Sequence, residues 1–437
     1  MEQLSIDLES TKDFSRYKQS TKLKKALCLF SSAGIGELGI ISSGIEIVLA
    51  NELLPERVKL YKENFKTDNI IEGDIWELQD RIVSKTNKIL RNDELFLVYA
   101  TPPCQGMSTN GMGKLKSEIE KGKRSEEDKR NRLIIPTLTI VKQLKPEWVL
   151  FENVPAMKNT EIRLDDNSYM NIIEYIRQEL GNDYDGCAEV VACEDHGIPQ
   201  KRRRLITIFT KNTKAKEWFK LNGNTFFPLA MKEKKITLRD AIENLPPLDA
   251  SEGKNKNTEF NKYHFVPIMN PRKYWWISNT KEGTTAFNNQ CISCGYTGTP
   301  GHKDILVDGK WIASKDTPIY CDNCNALLPR PTVVDKLGNH RPLKGFHSAY
   351  RRMKWDEPAR TLTQNFIYEA SDNKVHPSQN RVLSIYEAMI LQTIDKYSYD
   401  FEIDGKVLSA VKIAEVIGES VPPYLIEKIS RLMISFD

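Results

Sequence analysis

Nothing in this 437-residue sequence approaches the roughly 18 consecutive apolar residues that a membrane span requires. Met1 to Lys25 is polar where a secretion signal would carry an apolar run, so the expected location is the cytoplasm and no membrane partner is expected. Charge of one sign is scarce too: 63 Lys and Arg stand against 59 Asp and Glu, leaving +4. That balance permits a nucleic-acid partner without demanding one, so local clusters must carry the argument. Internal repeats and low-complexity tracts are absent, which excludes a solenoid. Of eight cysteines, only Cys291, Cys294, Cys321 and Cys324 form close pairs, while Cys28, Cys104, Cys187 and Cys193 stand alone. This is a poor disulfide framework and fits a reducing compartment.

What is present suits a globular protein of two or three domains, with 40% hydrophobic residues. From Lys25 to about Thr210, apolar runs of strand length alternate with amphipathic stretches. The strand candidates are Ala26 to Phe30, Ile47 to Ala50, Leu95 to Ala100, Trp148 to Phe151, Val190 to Ala192 and Leu205 to Phe209. Helices are expected from Pro55 to Phe65, Leu133 to Leu144 and Tyr169 to Leu180. Such alternation predicts an α/β fold whose mostly parallel sheet is covered on both faces. After Lys211 the texture turns rich in Pro, Gly, Asn, Lys and aromatics up to about Arg352, predicting a loop-rich second domain. Helical periodicity returns in Ser384 to Thr393, Leu408 to Ile417 and Tyr424 to Met433.

The first strand runs into Ser31-Ser32-Ala33-Gly34-Ile35-Gly36-Glu37, the layout of a nucleotide-binding turn, although an ordinary tight connection fits as well. Glu52 follows Gly34 by 18 residues, near the offset at which an acid meets a ribose diol. Asp74, in Glu72-Gly73-Asp74-Ile75, is placed to accept from an adenine amino group. Tyr99-Ala100-Thr101-Pro102-Pro103-Cys104-Gln105-Gly106 then sets a cysteine just past a buried strand, where the ligands of such sheets bind. A lone cysteine is more often a small buried hydrophobe, but two prolines and a polar turn argue against burial here.

Pro103-Cys104-Gln105 resembles the proline-cysteine-glutamine signature of the DNA (cytosine-5) methyltransferases. Other motifs follow in that family's order: Phe30 to Gly36 as cofactor loop, Glu152-Asn153-Val154 as acid motif, Gln200-Lys201-Arg202-Arg203-Arg204, and Gly418-Glu419-Ser420-Val421-Pro422-Pro423. The likeness spans most of residues 25–433. Ser32 stands where the family usually has the first loop glycine, Ile35 at a later one, and Glu419 replaces the usual asparagine.

The resemblance implies a Rossmann-like, S-adenosylmethionine-dependent fold plus a smaller target-recognition domain. It implies a catalytic set of Cys104, Glu152, Arg202 and Arg204, with Arg202 serving binding or scaffold. Cofactor contacts are implied for Phe30, Ser31, Gly34, Ile35, Gly36, Glu52, Asp74, Ile75, Pro103, Ser420 and Val421. The expected boundaries are an extension over 1–24, a catalytic domain over 25–230 and 380–437, and a target-recognition domain over 231–379. The expected partner is double-stranded DNA, met by a monomer that protects it from a separately encoded restriction endonuclease. An RNA cytosine-5 methyltransferase and a silent DNA-binding copy of the fold remain alternatives.

The chemistry explains why these residue types are needed. Carbon-5 of cytosine is a weak nucleophile until a thiolate adds to carbon-6, and a stacked base must be flipped out before that can happen. An acid beside ring nitrogen 3 must hold its proton near neutral pH, which burial next to Phe151 and Val154 would favour. Arg202 and Arg204 are expected on one side of a strand beginning there. Residues 106–132 mix eight lysines and arginines and the glycines Gly111 and Gly113 with acids, suiting either a loop closing over phosphates or a plain solvated loop. Cys291-x-x-Cys294 and Cys321-x-x-Cys324, 26 residues apart, have the spacing of a structural zinc site, a module expected at about 288–328. Lys303, Lys310, Trp311, Lys315, Arg330, Lys336, His340, Arg341 and Lys344, with Tyr274, Trp275 and Trp276, are the candidates from which such a module would read bases.

Overall fold

The computed structural model describes residues 23–103 and 129–437, except positions 165, 228–230, 303, 308–309, 314–316, 344–347 and 372–373. The apolar runs become strands β1 (Lys24–Leu29), β2 (Ile45–Glu52), β3 (Ile70–Glu72), β4 (Leu97–Ala100), β5 (Trp148–Asn153), β6 (Asp185–Ala192) and β7 (Arg203–Thr210). They form one sheet in the order β3-β2-β1-β4-β5-β7-β6. Strand β7 alone runs against its neighbours, pairing antiparallel with β5 and β6. The other neighbours pair in parallel.

Alternate side chains of β1 enter two different cores, Ala26 and Cys28 on one face, Leu27 and Leu29 on the other. Helices Ile35–Ser42, Thr213–Leu221 and Pro423–Ile434 cover the first face, and Ile75–Leu90, Ile134–Leu144 and Ile172–Leu180 the second. Burial on both sides is why these strands read as unbroken apolar runs. At Gly39 an added Cβ would lie 2.1 Å from the Pro423 carbonyl oxygen, so a bare backbone lets the last helix seat against the first. Among the described residues no helix is long and apolar enough to cross a membrane.

Two expectations change. Tyr169–Asn171 is not helical but pairs antiparallel with Glu161–Arg163, and the Asn171 side chain accepts from the Ile173 N–H to cap the helix that starts one residue later. A capping asparagine needs an extended backbone, which ends the helix there. Strand β6 begins at Asp185, well before the apolar Val190 to Ala192, because it is an edge strand and needs no continuous apolar run.

Among the described residues, 222–379 hold short helices, Leu238–Ile242 and Pro271–Ser278, and the hairpins Asp304–Val307 with Lys310–Ala313 and Thr332–Val334 with His340–Pro342. Their own small core gathers Trp276, Ile277, Phe287, Tyr350 and Val375. Buried arginines supply the donors that a loop-rich chain lacks. Arg330 bonds the carbonyls of Asn289, Thr299, Pro300 and Pro318. Arg352 bonds those of Ile277, Thr280, His376 and Gln379 and the Asn380 side chain.

Candidate active site and metal centre

The turn after β1 lies at the carboxyl edge of the sheet. Phe30, Ser32 and Gly34 all take positive φ, at 61°, 48° and 80°. A left-handed serine costs about 1–2 kcal/mol, which is the physical reason glycine is favoured at that position. Contacts hold the turn nonetheless: the Ser31 N–H donates to the Asn51 carbonyl at 3.0 Å, and the Ser32 N–H to Glu52 Oε2 at 2.7 Å. The other Glu52 oxygen accepts from the Leu54 N–H at 2.8 Å, so this buried carboxylate ties the turn after β1 to the end of β2. At the end of β3, Asp74 caps the helix Ile75–Leu90 by accepting from the Trp76 N–H at 3.0 Å. Ile35, Ile75 and Val421 are buried in the apolar clusters beneath this edge, and Gly36 lies against the Tyr99 hydroxyl.

Beyond β4 the Thr101 hydroxyl donates to the Phe30 carbonyl at 2.9 Å, tying the two turns together. Pro102 and Pro103 follow, and Cys104 and residues 105–128 lie outside the described residues. Pro102 is held from β5, the Asn153 amide donating to its carbonyl at 3.0 Å. Asn153 was legible only as part of a motif, because its partner is 51 positions away.

Glu152 faces Ile206 across the antiparallel pair β5 and β7. Directly opposed residues share a face, and so does Arg204, two positions before Ile206. Arg204 Nε therefore reaches Glu152 Oε1 at 2.7 Å. Burial pushes the Glu152 carboxyl above the ordinary glutamate range, with Arg204 and then Arg202 opposing it. Arg202 does not share a strand face with Arg204, since β7 begins at Arg203. It is fully buried, and its guanidinium bonds the carbonyls of Leu362, Gly418 and Ser420. Arg202 thus joins the start of β7 to the C-terminal segment, whose Ser420 is also held by Gln392. Glu419 pairs with the buried Arg57 at 3.2 Å and accepts from Gln364 at 2.8 Å. A charge at the usual asparagine position is thereby matched by a countercharge, a pairing across 362 positions that local spacing could not reveal.

The four cysteines of the second region converge. The sulfurs of Cys291 and Cys324 are 3.6 Å apart, those of Cys291 and Cys294 also 3.6 Å, and those of Cys294 and Cys321 3.7 Å. A tetrahedral zinc ion with Zn–S near 2.3 Å needs sulfurs about 3.8 Å apart, whereas a disulfide needs about 2.05 Å. All four sulfurs lie within 4.8 Å of one another, and main-chain N–H groups of Cys294, Tyr296 and Ala326 turn toward them. Burial removes Arg330 and Trp276 from the candidate base readers.

The model of the C-5 cytosine-specific DNA methylases matches residues 25–435. The chain belongs to that family. This methylase is 30% identical over 414 residues to the type II methyltransferase M1.HgaI of Avibacterium volantium, covering 93% of this chain and 96% of the relative. It is 24% identical to M.AgeI of Thalassovita gelatinovora, covering 92% and 97%. In fold it resembles Spodoptera frugiperda DNMT2, with a TM-score of 0.52, 14% identity, and 94% and 99% of the two chains covered. The methylase is therefore a DNA cytosine-5 methyltransferase on a Rossmann-like sheet.

Proposed function

We propose that this methylase adds a methyl group to carbon-5 of a flipped-out cytosine in double-stranded DNA through a covalent bond to Cys104. The observation that supports it most is the buried Glu152 with its Arg204 partner, beside the turn that Asn153 ties in place. The Cys104 thiolate adds to carbon-6, carbon-5 takes the methyl group and then loses its proton, and the thiolate leaves again. Glu152 holds a proton against ring nitrogen 3 while Arg204 holds the base carbonyl. Arg202 positions rather than reacts.

S-adenosylmethionine, when bound, supplies the methyl on an electrophilic sulfonium. The carboxyl edge of the sheet fits it: Glu52 keeps lone pairs for a ribose, Asp74 one carboxylate oxygen for an adenine amine, and the turn from Phe30 to Gly36 with Pro103, Ser420 and Val421 closes the site. Residues 25–230 with 380–437 form the catalytic domain, and 231–379 the target-recognition domain. Within it zinc on Cys291, Cys294, Cys321 and Cys324 folds the base-reading module. Relatives named as type II methyltransferases support a role in guarding cytoplasmic host DNA against a partner endonuclease.

Bisulfite sequencing of DNA from expressing cells tests the reading. Methylation at one sequence context, lost in Cys104→Ser while cofactor and DNA still bind, is the expected result. Full turnover by that variant contradicts it, and preference for RNA in a competition assay moves the substrate to the alternative class.

A further inference from the structure

Directly after the cofactor turn, in the first turn of the helix Ile35–Ser42, stands Glu37, and it is almost completely buried. One of its carboxylate oxygens has no hydrogen-bond partner among the described residues, nor has the neighbouring Tyr99 hydroxyl, both atoms being shielded from solvent. Tyr99 reaches the same spot: its hydroxyl lies 2.8 Å from where a Cβ on Gly36 would be. An unmet carboxylate beneath a ligand turn is costly unless something offsets it.

Among the described residues, several ionisable groups bear on Glu37. They are Cys28 on β1, Glu52 on β2, Tyr61 on the helix Pro55–Phe65, Tyr99 on β4, and Tyr399 from the C-terminal segment. None is a cation. Arg57, on the helix that carries Tyr61, is committed to Glu419 and Glu415 instead. Burial, reinforced by Glu52 and opposed by Ser31 and the Glu37 N–H, pushes the Glu37 carboxyl up to about 7. Alone, the group keeps its proton through mildly acidic pH.

We propose that Glu37 is the internal counter-ion for the cationic methyl donor, and that through it the protein binds the sulfonium-bearing cofactor in preference to its neutral thioether product. The proposal rests on the reading of this edge as the S-adenosylmethionine site. Glu37 acts through space across a low-dielectric layer and not by contact, since its unmet oxygen is closed off from solvent. Binding a unit positive charge lowers its proton affinity, so the carboxyl ionises and one proton leaves for solvent. The uncharged product leaves the proton where it was. Preference for donor over product therefore rises with pH toward about 7 and levels off above it.

Calorimetric titration of S-adenosylmethionine and S-adenosylhomocysteine into the full-length protein between pH 5.5 and 8.5, in buffers of different ionisation enthalpy, reads both affinity and proton release. The expected ratio of the two Kd values grows roughly tenfold for each unit by which the sulfonium lowers the Glu37 pKa. Proton release should accompany the donor more than the product. Glu37→Gln, isosteric with the protonated acid, should flatten the ratio while both ligands still bind. Ionisations within the ligands enter both proteins alike and drop out of the comparison. If wild type binds both ligands with a pH-independent ratio and equal proton release, or if the Gln variant keeps the wild-type slope, the counter-ion role is overturned. Failure of either ligand to bind wild type at any pH overturns instead the cofactor reading beneath it. Should the variant not fold, the wild-type proton release decides alone.

Discussion

The sheet and the region after it solve the same problem by different means. In β1 to β5 the ladder satisfies the backbone, apolar side chains fill both faces, and few polar groups are needed inside. In the second region ladders are short, and buried carbonyls are met by the guanidinium forks of Arg330 and Arg352, whose pKa values burial pulls down to about 10. A ladder distributes stability along many residues, whereas a fork or a metal concentrates it in one. The sheet should therefore tolerate single changes that the second region does not.

Stripping the proposed zinc from the four-cysteine cluster should break this contrast most strongly, since structural zinc in small domains contributes on the order of 10 kcal/mol. Chelation should abolish amide protection across 288–328 while cofactor affinity, proposed to reside at the sheet edge, changes by less than about twofold. Protein that purifies without zinc and is unmoved by chelator would remove the metal centre from the account.

Arg352→Met comes next. Leaving four carbonyls and an amide without their donor should cost about 4 kcal/mol or more, read as a separate early transition in denaturant unfolding. A single transition shifted by under about 1 kcal/mol would show that the fork is dispensable.

Two buried glutamates sharpen the comparison further. Glu387 receives both arms of Arg381 at 2.7 Å and the Ser384 N–H at 2.8 Å, and is drawn down to about 2 despite burial. Glu152 has one arginine contact, and burial wins. One carboxylate is held charged by its arginine, and the other is pushed toward its protonated form by burial. Glu152→Gln should lower kcat by about a hundredfold or more with folding intact, measured as single-turnover methyl transfer. The Glu387 effect is the smallest over accessible pH. Its folded value lies below its unfolded one, so its contribution is present above about 4.5 and lost as pH falls toward 2. Glu387→Gln should flatten the acid limb of a melting-temperature profile between pH 5 and 3.

The same contrast governs what the sequence revealed. Buried strands show as apolar runs, Pro55 opens its helix as read, and the cysteine pairs announce themselves because their information is local. The edge strand β6 was visible only at its apolar end. Arg330 read as a candidate base reader, and Arg202 as a companion of Arg204, because the carbonyls they serve lie far along the chain. Arg57 with Glu419 and the isolation of Glu37 were likewise invisible, since both depend on which neighbours the fold brings near or keeps away.

The central claim concerns one sulfur. Incubating the methylase with cofactor and duplex DNA carrying 5-fluorocytosine at the target should block loss of the group at carbon-5 and arrest the reaction as a stable adduct. Mass spectrometry of the digested complex should find that adduct on the peptide containing Cys104. An unmodified Cys104 peptide, with DNA bound and the cofactor consumed, would contradict the account.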